Sequence, residues 1–219
     1  MVPEFDPIHI PRATLVEGHR YRTPEGITYP SVTTILSATK PTEATDGIQA
    51  WRERVGAEVA DYIVREAART GTNTHALNEA YVVGEVHNNT AGLLARAHHE
   101  NFIPYLDRMG RVYGTEVPLY SDTMKVAGTA DCIAEYNDLT SIIDYKTKRS
   151  PQQPEWMIDY YVQTAAYSMM FTALTGIAIQ QCVILVSSEK DTIQEFLCDP
   201  RDYVSDFLLR LEQYYLGEL

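Results

Sequence analysis

The stretch MKVAGTADCIAEYNDLTSIIDYKTK, residues 124–148, gives the clearest indication of the fold. They contain two runs rich in β-branched and aromatic side chains, 124–136 and 140–148, each bounded by turn residues. Between the runs lies Asn137-Asp138, a pair that favours a two-residue hairpin turn. The sequence therefore predicts two adjacent antiparallel strands.

Two aspartates are expected to face each other in this hairpin. If Tyr136 pairs with Leu139 across the turn, counting outward places Asp131 opposite Asp144, with Cβ atoms ~5 Å apart. Two carboxylates at that distance repel each other unless a cation lies between them. Oxygen ligation by paired aspartates suits Mg²⁺ or Mn²⁺, whereas zinc would want more His or Cys. We therefore expect a hard divalent metal at this point of the hairpin.

Other side chains near the two aspartates are candidates for the same site. Lys146 lies two residues beyond Asp144, so its ammonium is expected on the same face, where it can hold an attacking water and stabilise charge on a phosphate. The Tyr145 carbonyl is a further candidate ligand. Glu116, on a strand predicted over 111–121, could bind a second metal through water or orient Lys146, and an exposed salt bridge is an equal alternative.

The rest of the chain predicts an α/β fold with one mixed sheet and helices against it. The N-terminus predicts a hairpin over 19–29 that turns at Pro24-Glu25-Gly26, and then a short helix capped by Ser31 and closed by Pro41. The remaining predicted helices span 47–69, 72–83, 91–108, 156–176 and 201–216, and the remaining strands span 180–188 and 192–199. The helix over 156–176 is expected to end at a C-capping glycine, Gly176.

Composition narrows the class of protein. A length of 219 residues predicts a single domain, in which the hairpin and helical region 1–110 is attached to a sheet core over 111–219. Hydrophobic residues make up 45% and charged residues 22%, which excludes disorder, collagen and coiled coil. Three widely spaced cysteines exclude a disulfide framework, and we expect them to pack in the core. Without an apolar span or signal peptide, we expect a cytoplasmic protein with no membrane contact.

The net charge of −12 argues against a protein that binds nucleic acid, because such proteins usually carry a basic surface. The acidic excess is uneven, because residues 150–219 contain only 3 of the 18 Lys and Arg but 10 of the 30 Asp and Glu. Any polyanion should therefore meet the first two-thirds of the chain.

GTADCIAEY (128–136) followed by SIIDYKTK (141–148) resembles the PD-(D/E)XK nucleases, in their RecB-like exonuclease branch. That branch carries a histidine in a G-x-x-x-H setting, matched by Gly71 to His75, and Q-x-x-x-Y on the helix after the lysine, matched by Gln163 to Tyr167. The four motifs occur in the right order over residues 71–167. YPSVTTIL (29–36) is similar to the N-terminal motif of mitochondrial genome maintenance exonucleases and related phage enzymes.

The resemblance implies a restriction-endonuclease-like core with helices on both faces. It implies metal ligation by His75, Asp131 and Asp144. It also implies a catalytic Lys146, with Gln163 and Tyr167 supporting the site or the DNA backbone. From the residues alone, a structural role is the better interpretation of His75, and ordinary helix packing is the better interpretation of Gln163 and Tyr167.

The expected activity is a metal-dependent exonuclease that hydrolyses single-stranded DNA with one or two Mg²⁺ or Mn²⁺ ions. The choice of DNA over RNA is implied by the resemblance alone. Lys146 would align the attacking water while metal neutralises the leaving oxygen. The alternatives are a structure-specific endonuclease and a catalytically silent DNA-binding module of a recombination complex. No iron–sulfur cluster and no ATP site are expected, because the cysteines are too few and no phosphate loop is present. A helicase or single-strand-binding protein would be a separate partner in a bacterial or phage-infected cell.

Candidate DNA contacts are less sharply defined. Arg20 and Arg22 flank Tyr21, as in single-strand binders that stack bases, and a core position for Tyr21 is an equal alternative. Ser31, at a helix N-terminus, could receive a phosphate. Thr72, beside the His75 motif, and Lys148, beyond Lys146, complete the predicted contacts. For three other side chains we expect structural roles, with Trp51 in the core and His98 and His99 in solvent.

Overall fold

The hairpin forms the centre of a six-stranded sheet in the computed structural model. The structure describes residues 3–40, 42–85, 90–190 and 192–217, and it describes residues 42–46 by their backbone alone. The sheet strands are β1 (Glu4–Phe5), β5 (Met109–Ser121), β6 (Val126–Tyr136), β7 (Leu139–Lys148), β8 (Gln181–Ser188) and β9 (Thr192–Cys198), in that spatial order. A separate three-stranded sheet contains β2 (Thr14–Val16), β3 (Arg20–Arg22) and β4 (Thr28–Pro30).

The described helices lie on both faces of the sheet, as predicted. They are α1 (Val32–Ala38), α2 (Thr42–Val55), α3 (Ala57–Val82), α4 (Leu93–Leu106), α5 (Ile158–Thr175) and α6 (Val204–Gly217), with short 3-10 turns at Pro154–Met157 and Pro200–Tyr203. Helices α3 and α4 cover one face, where Phe102 and Leu106 pack on Ile143. Helices α1, α5 and α6 cover the other, where Ala166 and Phe207 pack near Ile142.

The hairpin turn follows the sequence-based prediction. Asn137 and Asp138 adopt φ values of 49° and 65°, the two positive angles that a type I′ turn requires, and Tyr136 pairs with Leu139. Strands β7 and β8 are parallel, and α5 provides the crossover that parallel neighbours need. The mixed sheet is therefore confirmed, and Gly176 ends α5 with φ 75° as expected of a C-capping glycine.

The predicted break between two helices near residue 70 was wrong. Gly56, with φ 87°, separates α2 from α3, because that backbone angle favours glycine. Gly71 lies inside the 26-residue α3, and a Cβ there would be 3.6 Å from the Thr147 hydroxyl. Gly47, Gly56 and Gly71 occur in one helical pattern, and only the backbone angle and neighbours decide which of them ends a helix.

Three predictions about single side chains also need correction. His98 is buried rather than solvated, and its Nδ1 lies 2.8 Å from the Ser187 hydroxyl. His99 is half-buried, with Nδ1 2.7 Å from Asn78 Oδ1. Trp51 is half-buried on α2 and belongs to none of the core clusters of the described residues.

The cysteines pack as predicted, with Cys132 and Cys182 buried and Cys198 half-buried. The proposed helix stop at Pro41 lies outside the described residues. Within the described ranges, every helix falls short of the length and apolarity that crossing a membrane would take.

Candidate active site

Helix α3 brings His75 over the sheet. Nε2 of His75 lies 2.9 Å from the Tyr145 carbonyl oxygen, and a carbonyl only accepts, so Nε2 carries the proton. Nδ1 then faces two carboxylates, 3.6 Å from Asp131 Oδ2 and 4.0 Å from Glu116 Oε1. In the neutral tautomer this leaves the Nδ1 lone pair pointing at the acidic groups, the arrangement of a histidine that ligates a metal.

Asp131 lies where the regular strand pattern breaks. Ala130 packs with the α5 side of the core and Cys132 with the α4 side, although residues two apart on a strand normally share a face. The β6–β7 pairing follows the predicted register but its last recorded pair is Cys132 with Ile143, one step before the aspartates. Instead, Asp131 Oδ2 accepts the Tyr145 backbone N–H at 2.8 Å.

Glu116 stands beside Asp131 on the other neighbouring strand. The pairs Thr115 with Cys132 and Val117 with Ala130 bracket it, which places it opposite Asp131. Its φ of 44° is a strained left-handed angle for a side chain other than glycine. Burial first, and then the charge of Asp131, raise the pKa of Glu116 to about 7. A carboxyl held at such a backbone angle beside another carboxyl is typical of a functional site.

His75, Glu116 and Asp131 offer ligand atoms that all lie within 4.8 Å of one another. Two carboxylates and one imidazole with a protonated outer nitrogen fit a divalent metal such as Mg²⁺ or Mn²⁺. The predicted set differs in two places. Glu116 joins the cluster in place of Asp144, and the Tyr145 carbonyl holds His75.

Asp144 and the half-buried Lys146 form an ion pair on the α5 side of the sheet. Asp144 is 2% exposed, and Lys146 Nζ lies 2.5 Å from its Oδ2. Burial raises the pKa of Asp144 to about 6, while the Lys146 charge opposes that change. Burial lowers the pKa of Lys146, but Asp144 and Asp131 raise it further, so the net change is upward. Lys146 is therefore held as an ammonium beside the acidic cluster.

The Q-x-x-x-Y motif packs beneath the hairpin. Gln163 Nε2 donates to the Tyr167 hydroxyl at 3.0 Å, and Tyr167 is buried. The Tyr167 ring lies directly on Gly128, where a Cβ would be 2.7 Å from Tyr167 Cε1. The glycine of the Gly-Thr-Ala-Asp motif therefore leaves the space that the Tyr167 ring occupies, so the two motifs are in direct contact.

Two residues near the site were not singled out from the sequence. Glu79, one helical turn after His75, accepts from the Thr115 hydroxyl at 3.2 Å and adds to the negative charge around Glu116. Tyr160 contacts both Lys146 and Lys148. Helical spacing was the available signal, because Glu79 is four residues after His75 and Tyr160 is three before Gln163.

The candidate DNA contacts are distributed unevenly. Tyr21 is buried and hydrogen-bonds Thr129 at 3.0 Å, which favours its core alternative, whereas Arg20 and Arg22 are exposed. Ser31 is buried and caps α1 by accepting the Thr34 N–H, so its hydroxyl is already engaged. Thr72 lines a cavity of about 460 Å³ together with Gly71, His75, Ala76, Glu79 and Glu116.

Comparison with known families agrees with this geometry. The model of the PD-(D/E)XK nuclease superfamily matches residues 36–212. The chain belongs to the PD-(D/E)XK nuclease superfamily. This match contains all four motifs and all residues of the candidate site, and the mixed sheet with helices on both faces is the fold expected of a PD-(D/E)XK nuclease.

The sequence of this chain is also similar to those of individual exonucleases. It is 28% identical over 200 residues to mitochondrial genome maintenance exonuclease 1 of Mus musculus and 26% identical to that of Homo sapiens, covering 84% of this chain and 58% of each relative. The chain thus spans less than two-thirds of the length of these relatives. A solved structure of a candidate exonuclease from Eubacterium rectale is 14% identical, covering 70% of this chain and 68% of that one, with a TM-score of 0.44.

Proposed function

We propose that the protein is a metal-dependent DNA exonuclease that acts on single-stranded DNA. The observation that carries the proposal is the cluster of His75, Glu116 and Asp131 beside the Asp144–Lys146 ion pair. A cluster of acceptors for a hard cation next to a fixed ammonium suits phosphodiester hydrolysis, because charge develops on the phosphate in the transition state. The exonuclease names of the similar proteins support the same proposal.

Each residue has a role that follows from its contacts. When bound, a Mg²⁺ or Mn²⁺ ion supplies Lewis-acid stabilisation of phosphate oxygens. His75 and Asp131 are both fixed by the Tyr145 backbone, so two of the three ligand atoms are preorganised. Lys146 presents its ammonium to the attacking water and the phosphate, and Asp144 holds that ammonium in place.

The substrate path is proposed on the less acidic part of the chain. Exposed Arg20 and Arg22, Thr72 in the cavity beside His75, and Lys148 are the contacts we infer for the DNA backbone. A role in DNA replication, recombination or repair, beside a separate helicase or single-strand-binding protein, is inferred from the genome maintenance names of the relatives. A bacterial or phage-infected cytoplasm is the proposed location.

The test uses linear oligonucleotides labelled at either end and a circular single strand. Wild type and Lys146→Ala are incubated with each, in Mg²⁺, in Mn²⁺ or in chelator. We expect metal-dependent loss of the linear strands with the circle intact, no cleavage by the variant, and polarity from the order in which labels disappear. Cleavage of the circle indicates an endonuclease, and binding without cleavage indicates a silent DNA-binding module. Thermal unfolding of the variant shows whether it still folds.

A further inference from the structure

Tyr160, on the first turn of α5, is shared by two lysines. Lys146 Nζ lies 5.0 Å and Lys148 Nζ 5.1 Å from the centre of its ring, both within the range of cation–π contacts. Lys148 Nζ also donates to the Tyr160 hydroxyl at 2.6 Å. One aromatic side chain therefore contacts two ammonium groups, and its attraction for each offsets part of their mutual repulsion.

The two lysines differ in their anionic partners. Lys146 is paired with Asp144, whereas Lys148 has no carboxylate within 4.0 Å among the residues that the structure describes, and its hydrogen-bond acceptor is the neutral phenol. Lys148 is also half-buried, so its charge is partly removed from water without a compensating anion. The Lys148 ammonium can therefore still bind a negatively charged group.

The spacing along β7 indicates which anion belongs there. Lys146 and Lys148 are two residues apart on one face of β7, so their backbone positions are separated by ~6.6 Å. Consecutive phosphates of an extended single strand are separated by a similar distance. If Lys146 faces the scissile phosphate, Lys148 therefore faces the neighbouring phosphate. The Tyr160 hydroxyl, which accepts from Lys148, can donate its own hydrogen to the same phosphate oxygen.

We propose that Lys148 and Tyr160 form a binding subsite for the phosphate next to the scissile one. Tyr160 also acts as a positioning residue, because its ring contacts the ammonium groups of both lysines. The subsite rests on the proposed function for its orientation, but the binding of a phosphate at Lys148 does not require that cleavage occurs.

The experiment combines protein and substrate changes in a double-mutant cycle. Single-stranded oligonucleotides carry one uncharged methylphosphonate, moved one position at a time through the strand. Wild type, Lys148→Gln and Tyr160→Phe are measured for kcat and KM in Mg²⁺ and, by fluorescence anisotropy in chelator, for binding. Lys125→Gln, an exposed lysine at the opposite turn of β5 and β6, is the matched control.

We expect Lys148→Gln to weaken binding of the unmodified strand about tenfold, the size of a lost charge-assisted hydrogen bond. One methylphosphonate next to the cleavage position should weaken the binding of wild type by the same factor. On that modified strand, Lys148→Gln should bind almost as tightly as wild type. Tyr160→Phe keeps the ring and loses only the hydroxyl, so it should raise KM less than Lys148→Gln does. Its effect should be coupled to the methylphosphonate at the same position as the effect of Lys148→Gln. A structural defect would instead lower binding of every strand alike.

Equal losses on all methylphosphonate strands, or coupling spread over many positions, would overturn the subsite. If wild type cuts no strand, the proposed exonuclease fails, and the binding cycle alone decides about the subsite. Coupling confined to one phosphate then supports it, and absence of coupling or of binding overturns it.

Discussion

The two flanks of the central hairpin are built in opposite ways. The α3 flank, formed by His75, Glu116 and Asp131, gathers acidic groups around an imidazole next to a cavity of about 460 Å³. On the α5 flank, formed by Asp144, Lys146, Tyr160, Tyr167 and Gly128, opposite charges are paired and a ring lies in direct contact with the sheet.

The difference suggests which flank would gain more from a bound cation. Like charges at 3.6–4.0 Å from one imidazole nitrogen are unfavourable in the free protein, and a cation relieves that repulsion. The Asp144–Lys146 ion pair and the contact of the Tyr167 ring with Gly128 instead hold side chains of the α5 flank in fixed positions. We therefore expect a bound cation to stabilise the α3 flank, whereas the α5 flank is stabilised by packing and by its ion pair.

The largest expected effect tests the α3 flank. Saturating Mn²⁺ at ~100 times its Kd should raise the unfolding free energy of wild type by about 2.7 kcal/mol, or a Tm shift of roughly 5–10 °C. Asp131→Asn keeps the acceptor for the Tyr145 N–H but removes the central charge, so most of the shift should vanish. Differential scanning fluorimetry with and without Mn²⁺ measures it.

The matched control for that experiment is Asp138→Asn, an exposed aspartate in the hairpin turn, which should retain the full shift. An undiminished shift in Asp131→Asn would place the metal elsewhere in the molecule.

The second effect tests the packing of the α5 flank. Gly128→Ala places a Cβ 2.7 Å from Tyr167 Cε1, so the ring or the strand must move, and overpacking of this kind costs about 1–3 kcal/mol. Chemical denaturation of the metal-free protein measures the loss. Tyr167→Leu in the same chain should remove the clash, so the double variant should lose less than the two single losses combined. Simple additivity would contradict the contact.

A smaller effect, of opposite sign, returns to the acidic cluster. Above pH 7 in chelator, Glu116→Gln removes a charge that Asp131 and Glu79 oppose, and should stabilise the metal-free protein by up to about 1 kcal/mol. The gain is limited because the side chain is 46% exposed and water screens it. In denaturant titrations, Glu100→Gln on the exposed face of α4 should change nothing, and a destabilised Glu116→Gln would argue against charge crowding.

The sequence could predict the register of the hairpin, because the Asn137-Asp138 turn and the two-residue strand period fix it together. The same count could not show that Asp131 leaves the regular pattern, because the face change depends on how β5 and β7 pack on either side of it. Glu116 consequently replaced Asp144 in the cluster. Family motifs predicted which residues converge, and tertiary packing decided which of them share one flank.

Polar helix patterns were a weaker guide. His98 lies in a polar stretch of α4, yet it is buried because that helix packs over β8, where Ser187 provides its hydrogen-bond partner. Burial of a single polar side chain depends on an opposing partner far along the chain, which no local pattern contains.

The smallest effect contrasts two motif glycines across the flanks. Gly128 has no room for a side chain, whereas a Cβ at Gly71 would meet Thr147 Oγ1 at an ordinary 3.6 Å. Since Gly71 lies within α3, Gly71→Ala should stabilise the free protein by about 0.5–1 kcal/mol through helix propensity. Denaturant titration measures this. The control is Gly47→Ala, at an exposed helical glycine in α2 whose added Cβ would lie within 4 Å of no described atom.

The two variants separate folding from function at Gly71. A destabilised Gly71→Ala beside a stabilised Gly47→Ala would show that α3 needs the glycine for its own packing on β7. If Gly71→Ala is stabilised but binds single-stranded DNA more weakly, the glycine is kept to let the DNA backbone approach the cavity beside His75 and Thr72. The two motif glycines then serve opposite purposes, one admitting a side chain from within the fold and the other leaving space for the substrate.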